Sequence, residues 1–229
     1  MKPLFLLLAA ATAALAEPNA RMEARRAKSD FDLTADPNSA AWKNAPAIPG
    51  QVDPFGKPAV SNRFDFRIQW TPRNLYFLFI CPYDQLTLKP SPSTTEETNK
   101  LWEWDVMEVF IGADLANIHR YREVQVSPQG EWVDLDIDRK TPRPEGGWKW
   151  NSGMQVKARI DEAKKIWYGE MRIPTASISS APAKAGTEYR INVYRLAGAA
   201  PNRIQVMWTP TMVRSHHTPE QFGKLVLAQ

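Results

Sequence analysis

Cysteine is nearly missing from this chain. Cys81 is the only one in 229 residues, so no intramolecular disulfide can form and the fold must rest on its apolar core. Beyond the first sixteen residues no run approaches the roughly 20 consecutive apolar residues that a membrane-spanning helix needs. The mature chain is therefore expected not to insert into a membrane. Histidine is scarce too: His119, His216 and His217 form neither a helical zinc motif nor a Cys/His ligand set, which argues against a catalytic metal. There is no Gly-x-Ser-x-Gly elbow and no phosphate-cradling glycine loop. Nor is charge of one sign concentrated. The net charge is +4, and beyond Arg21, Arg25, Arg26 and Lys28 the basic residues are mixed with acids. Nucleic acid is thereby argued against as a partner, since it requires a contiguous basic face.

What is present begins with Lys2, an apolar stretch over residues 4–15, and Ala14-Leu15-Ala16 before Glu17. That order of charge, apolar core and small residues reads as a secretory signal peptide over residues 1–16, and so predicts a secreted or periplasmic protein. Residues 17–29 show no periodicity and predict a flexible leader. Residues 30–229 are expected to form one domain, a size that all-β folds commonly reach.

Within that domain the dominant period is two. Phe64, Phe66, Ile68 and Trp70 alternate with Arg63, Asp65, Arg67 and Gln69, as in a strand with one face in the core. Residues 75–81 are apolar throughout, which predicts a strand covered on both faces, with Cys81 buried. Residues 89–100, rich in Pro, Ser and Thr, predict a long surface loop. Further strands are expected over 106–111, 122–127, 132–138, 154–160, 166–173, 189–196, 204–208 and 224–227. Short strands at this spacing, separated by turn signals, predict an all-β, two-sheet antiparallel β-sandwich of jelly-roll or immunoglobulin-like type.

Alternation also assigns faces. Met107, Val109, Ile111, Val124, Val126, Ile191 and Val193 point inward. Glu108, Phe110, Glu123, Gln125, Ser127, Arg190, Asn192 and Tyr194 then share the opposite face. Carboxylate, amide and phenol groups suit sugar hydroxyls, which both donate and accept hydrogen bonds, and an ordinary solvated face would carry the same groups. Nine tryptophans exceed what a core of this size needs. Trp42, Trp70, Trp167 and Trp208 read as core, whereas Trp102, Trp104, Trp148 and Trp150 stand in loop-like contexts, where an indole face can pack on the C–H patches of a sugar ring.

A glycosidase needs two carboxyls facing one bond at roughly 5 to 9.5 Å, and Asp105 and Glu108, three apart on a strand, point to opposite faces. Asp134, Asp136 and Asp138 share one face, which reads as solvated, with a structural Ca²⁺ as the alternative use of such oxygens.

Seven segments complete the reading. Leu75-Tyr76-Phe77, the run from Trp102 to Ile111, the run from Glu123 to Gly130, Glu170-Met171-Arg172-Ile173-Pro174, Asn192-Val193-Tyr194-Arg195, Trp208-Thr209-Pro210 and the run from His217 to Gly223 occur in this order. Together they resemble the carbohydrate-binding family 9-like domains of the DOMON-like β-sandwich group. The resemblance implies a sugar held between two tryptophans and fixed by polar groups of the adjoining sheet, with no cofactor. It places the first tryptophan at Trp102 and the carboxylate ligand at Glu108. It places an arginine and an asparagine of the next strand at Gln125 and Ser127, and a glutamine of a later strand at Tyr194. The second tryptophan falls on or next to His216, an imidazole with less face to offer. Asn192 and Arg195 belong to a longer pattern of stand-alone members: Asn192 joins the candidate ligands, and Arg195 is expected on the core side, covering a tryptophan. The expected function is non-catalytic binding of a saccharide of glucan, xylan or chain-end type. The alternatives are a structural or partner-binding module of the envelope, a b-haem module of the DOMON type, and, least supported by these residues, a hydrolase.

Overall fold

A computed structural model describes residues 20–229, and the signal peptide expected over residues 1–16 lies outside them. The first strands are β1 (Arg21–Arg26), β2 (Ile48–Gly50), β3 (Phe64–Trp70) and β4 (Asn74–Pro82). After the long loop come β5 (Val106–Gly112), β6 (Arg120–Val126) and β7 (Trp132–Asp138). They are followed by β8 (Gln155–Asp161), β9 (Ile166–Pro174), the one-turn helix α1 (Thr175–Ile178) and β10 (Glu188–Ala197). The chain ends with β11 (Ile204–Met207) and β12 (Gly223–Leu227).

These strands form one continuous sheet in the order β7-β6-β5-β10-β12-β1-β3-β4-β9-β8, with β11 on β10 and β2 on β3. The sheet folds back so that its two halves share one core. Phe77, Phe79, Met171 and Ile173 from one half pack in the same cluster as Val109, Ile111, Val124, Val126, Ile191 and Val193 from the other. In β3, β5, β6 and β10 the inward residues are those that period-two alternation picks out, because each of these strands has one face on this core. Trp42, Trp70, Trp167 and Trp208 are buried, as is Cys81, and burial pushes the Cys81 thiol up to about 12.

The flexible leader expected over residues 17–29 is corrected by β1. Arg21 to Ala24 pair in parallel with β12, and Arg25 and Arg26 pair in parallel with β3, so this strand joins the two halves of the sheet. Only Met22 and Ala24 supply apolar burial. Arg21, Glu23, Arg25 and Arg26 are charged, so the segment has little hydrophobic signal, and the backbone partners on both sides decide its state.

Arg195 is on the core side, but it covers no indole. Its Nη1 donates to the carbonyls of Arg63 (3.1 Å) and Pro82 (2.7 Å), which satisfies part of a buried guanidinium beside Asp105 and Cys81.

The outer face of β5, β6, β7 and β10 is not solvated. Phe110, Tyr121, Ile137, Tyr194, Met207 and Phe222 form a second buried cluster there, while Glu108, Glu123, Gln125 and Asn192 are all at most 4% exposed. Loops fold over this face: the Trp102 turn, the segment carrying Trp148, and the stretch from His216 to Phe222.

Candidate functional site

The floor of the site is the face of β5 and β6 that alternation assigned to polar groups. Glu108 pairs with Gln125 across the ladder, and on its other side with Tyr194 of β10. One amide group then serves two acids: Gln125 Nε2 donates to Oε1 of Glu108 (2.9 Å) and to Oε1 of Glu123 (2.6 Å). The second oxygen of each carboxyl, Oε2, is buried and finds no hydrogen-bond partner in the protein. Both glutamates line a cavity of about 160 Å³, with Trp102, Leu135, Ile137, Arg143, Trp148, His216 and His217 around it.

The walls are positioned from three directions. Trp102 sits in a 3-10 turn (Leu101–Glu103) whose Leu101 is buried against Val106, Val133 and Leu196. Arg203 fixes that turn by donating to the carbonyls of Glu103 (2.9 Å), Gly198 (2.7 Å) and Trp104. Trp148 is half-buried against the second cluster, with the Arg143 guanidinium 5.6 Å from its ring centre. His216 and His217 pack on Phe110, and the Tyr194 hydroxyl donates to the His216 carbonyl (3.0 Å). His217 lies with Nε2 3.9 Å from Oε2 of Glu123.

Burial dominates the protonation states here. It pushes Glu123 up to about 7, and with the adjacent Glu123 carboxylate it holds Glu108 well above the usual carboxylate range. The same desolvation lowers His216 to about 4 and His217 to about 3, so both imidazoles are neutral at pH 7. With both imidazoles neutral, the site offers carboxyl oxygens and aromatic faces, and Arg143 is the one cation in its lining among the described residues.

Of the residues picked from sequence, Trp102, Glu108 and His216 line the cavity together, and Gln125 bridges its acids from behind. Tyr194 lies beneath His216 rather than in the wall. Asn192 is not at the site: its side chain donates to the Thr209 carbonyl (2.9 Å) and accepts from the amides of Thr209 (3.2 Å) and Val193 (2.9 Å), so its capacity is spent on the chain. Ser127 is displaced as well. Its Oγ donates to Glu131 Oε2 (3.0 Å) and accepts from the amides of Gln129 and Glu131, closing the turn after β6.

Sequence reasoning missed Glu123, His217 and the use of Trp148. Glu123 shares a face with Glu108, so alternation carried its signal, but nothing in the sequence brought the two carboxyls to one cavity. The acid that joins Glu108 at the cavity is Glu123 and not Asp105, which points away as expected, to the Gly198 amide (2.7 Å). The three aspartates of β7 do not form the open face expected of them. Asp134 is buried on the amide (2.9 Å) and hydroxyl (2.5 Å) of Ser152, and Asp136 is bound by Arg120 and Arg122. Among the described residues no group of three or more His, Cys, Asp or Glu side chains is arranged to hold a metal ion.

The site is thus a two-tryptophan cavity over a polar strand face of a folded, mainly antiparallel sheet. The family model described as carbohydrate family 9 binding domain-like matches residues 35–229, and the chain belongs to that family. Two solved structures of a family 9 module from Caldicellulosiruptor kristjanssonii share the fold. The one in complex with cellotriose has a TM-score of 0.64 at 14% identity, covering 91% of this chain and 94% of that one. The one in complex with glucose has a TM-score of 0.65 at 13% identity, covering 92% and 97%. A Bacteroides uniformis ATCC 8492 protein, provisionally described as carbohydrate-binding, has a TM-score of 0.70 at 14% identity over 90% of this chain and 98% of that one. In sequence, a protein of Arthroderma benhamiae (strain ATCC MYA-4681 / CBS 112371) described as an extracellular protein is 22% identical over 138 residues. That match spans 55% of this chain and 62% of the relative, less than two thirds of its length.

Proposed function

We propose that this protein is an exported, non-catalytic saccharide-binding module whose site is the cavity between Trp102 and Trp148. The observation that carries the reading is the pair of buried carboxyl oxygens, Glu108 Oε2 and Glu123 Oε2, that lack protein partners and line a space walled by two indoles. Sugar hydroxyls supply the missing donors while the ring's C–H faces pack on tryptophan. About 160 Å³ suits one pyranose unit, and a groove of about 610 Å³ shares Leu135 and Arg143 with the cavity, leaving room for a chain to continue. Family membership and the glucose and cellotriose complexes of the Caldicellulosiruptor kristjanssonii module support glucan-type ligands.

Binding without cleavage is supported by the way both acids hang on one Gln125 amide: they sit side by side, whereas glycosidic hydrolysis places its carboxyls on either side of the bond. The signal-like residues 1–16 and the extracellular relative support export. We also read the folded sheet as a two-layer sandwich of jelly-roll type with β1 shared by both layers, on the strength of the common core. Isothermal titration of the protein with glucose, xylose, cellotriose and xylotriose tests the function. Dissociation constants between about 1 mM and 1 μM are expected, since a small site buries little ligand. Flat titrations with every sugar would sink the reading.

A further inference from the structure

Two carboxyls in one desolvated space cannot both ionise without a cation to share. In this cavity their outer oxygens are buried and unpartnered, and their inner oxygens lie within the sum of two hydrogen bonds (2.9 and 2.6 Å) of each other. Arg143 lines the cavity and Arg203 lies nearby, but neither forms an ion pair or hydrogen bond with either acid. Arg203 is held by three backbone carbonyls, and Arg143 lies against the Trp148 ring. The remaining charged or titratable groups that face the acids are Arg139, His216, His217 and Tyr121. The Tyr121 hydroxyl and His217 Nδ1 share a hydrogen bond of 2.7 Å, and His216 Nδ1 has no partner. A neutral hydroxyl satisfies one oxygen and leaves the pair dependent on a retained proton. An ammonium group brings three donors and the missing charge, and the two indoles that wall the cavity favour a cation over a neutral group at their faces.

From this arrangement we infer that the site selects amino sugars, hexoses whose ring carries a free ammonium, with that ammonium between Glu108 and Glu123. The inference rests on the saccharide-binding reading above and sharpens it to a ligand class. It also specifies a proton balance: the acid pair retains a proton in the free protein, and the incoming ammonium displaces it to solvent.

The test is calorimetry of the full mature chain with D-glucosamine, D-glucose and N-acetyl-D-glucosamine at pH 6.0 and 7.0, in two buffers of different ionisation heat. Glucosamine is expected to bind at least about tenfold tighter than glucose at pH 7.0. It should release up to one proton and weaken on going to pH 6.0. N-acetyl-D-glucosamine, which has lost the charge, should show no such preference. Glu123→Gln should bring the glucosamine-to-glucose ratio near one, with its thermal melting recorded to confirm folding. Glucose binding equal to or tighter than glucosamine binding, with no proton release, overturns the inference and leaves saccharide binding standing. Silence toward all three sugars, and toward cellotriose, defeats both. A selectivity that survives in Glu123→Gln likewise overturns the placement of the ammonium.

Discussion

The hydroxyl of Tyr121 and Nδ1 of His217 lie 2.7 Å apart across 96 residues of sequence, tying the loop before β12 to the start of β6. This bond turns the other ring nitrogen toward Glu123 and so fixes one wall of the cavity. Removing it in Tyr121→Phe should cost about 0.5 to 1.5 kcal/mol, the net worth of a buried neutral hydrogen bond. Urea denaturation measures this, and an unchanged midpoint with an unchanged slope would show that the loop is held by packing alone.

Trp102→Ala should weaken saccharide binding by about 1.5 to 3 kcal/mol, because it strips one aromatic wall from the cavity. The far-UV circular dichroism should not change, since Leu101 and not Trp102 anchors the turn. Titration of the variant with the best ligand of the parent checks the first point. Undiminished affinity would place the site elsewhere on the molecule.

The pH dependence of stability separates the acids from the histidines. Glu123 is raised in the fold from 4.5 to about 7, so its contribution is fully present below about pH 4.5 and is lost as pH rises through about 7. His216 and His217 are lowered from 6.5, so their contribution is present above pH 6.5 and is lost as pH falls toward 4 and 3. The two effects oppose each other between pH 4.5 and 6.5. A difference measurement isolates the acid: Glu123→Gln should gain stability relative to the parent as pH rises from 5 to 8. Parallel pH profiles for the two proteins would contradict the assignment.

Cys81 should resist thiol reagents in the native state and react once denaturant is added. Its strand is apolar and its side chain has no exposure, and burial pushes the thiol up to about 12, which keeps the reactive thiolate scarce. Labelling of the folded protein at the rate of free cysteine would mean that β4 opens readily.

Glu170→Ala should destabilise the protein by about 2 to 4 kcal/mol, because three donors, those of Ala35 and Trp42 buried, lose their acceptor at once. Glu170 Oε1 accepts from Trp42 Nε1, and Oε2 accepts from the amides of Thr34 and Ala35, each at 2.6 Å. These bonds order the segment ahead of β2, so protease sensitivity near residues 30–45 should rise alongside the loss of stability. Wild-type resistance there would refute the link.

The sequence by itself determined ten strands of this sheet and, through period-two alternation, the inward side of β3, β5, β6 and β10, because a strand with one buried face writes that face into every second residue. In β7 the apolar Val133 and Ile137 turn to the outer clusters instead. β1 escaped the sequence: its strand state comes from hydrogen-bonding partners in β12 and β3, and backbone pairing leaves no mark on side-chain composition. The site divided in the same way. Trp102 and Glu108 were legible because residue type and local spacing bear their signal. Ser127 and Asn192 looked equivalent to them, yet tertiary contacts with Glu131 and Thr209 consume their hydrogen bonds. Which polar groups end with an unused oxygen, and which three loops close over them, depends on contacts across 17 to 135 positions of chain, as between Glu108 and Gln125 or Glu170 and Ala35. Local sequence sets what each strand offers, and only the folded sheet brings Glu123, Trp148 and His217 to the same space.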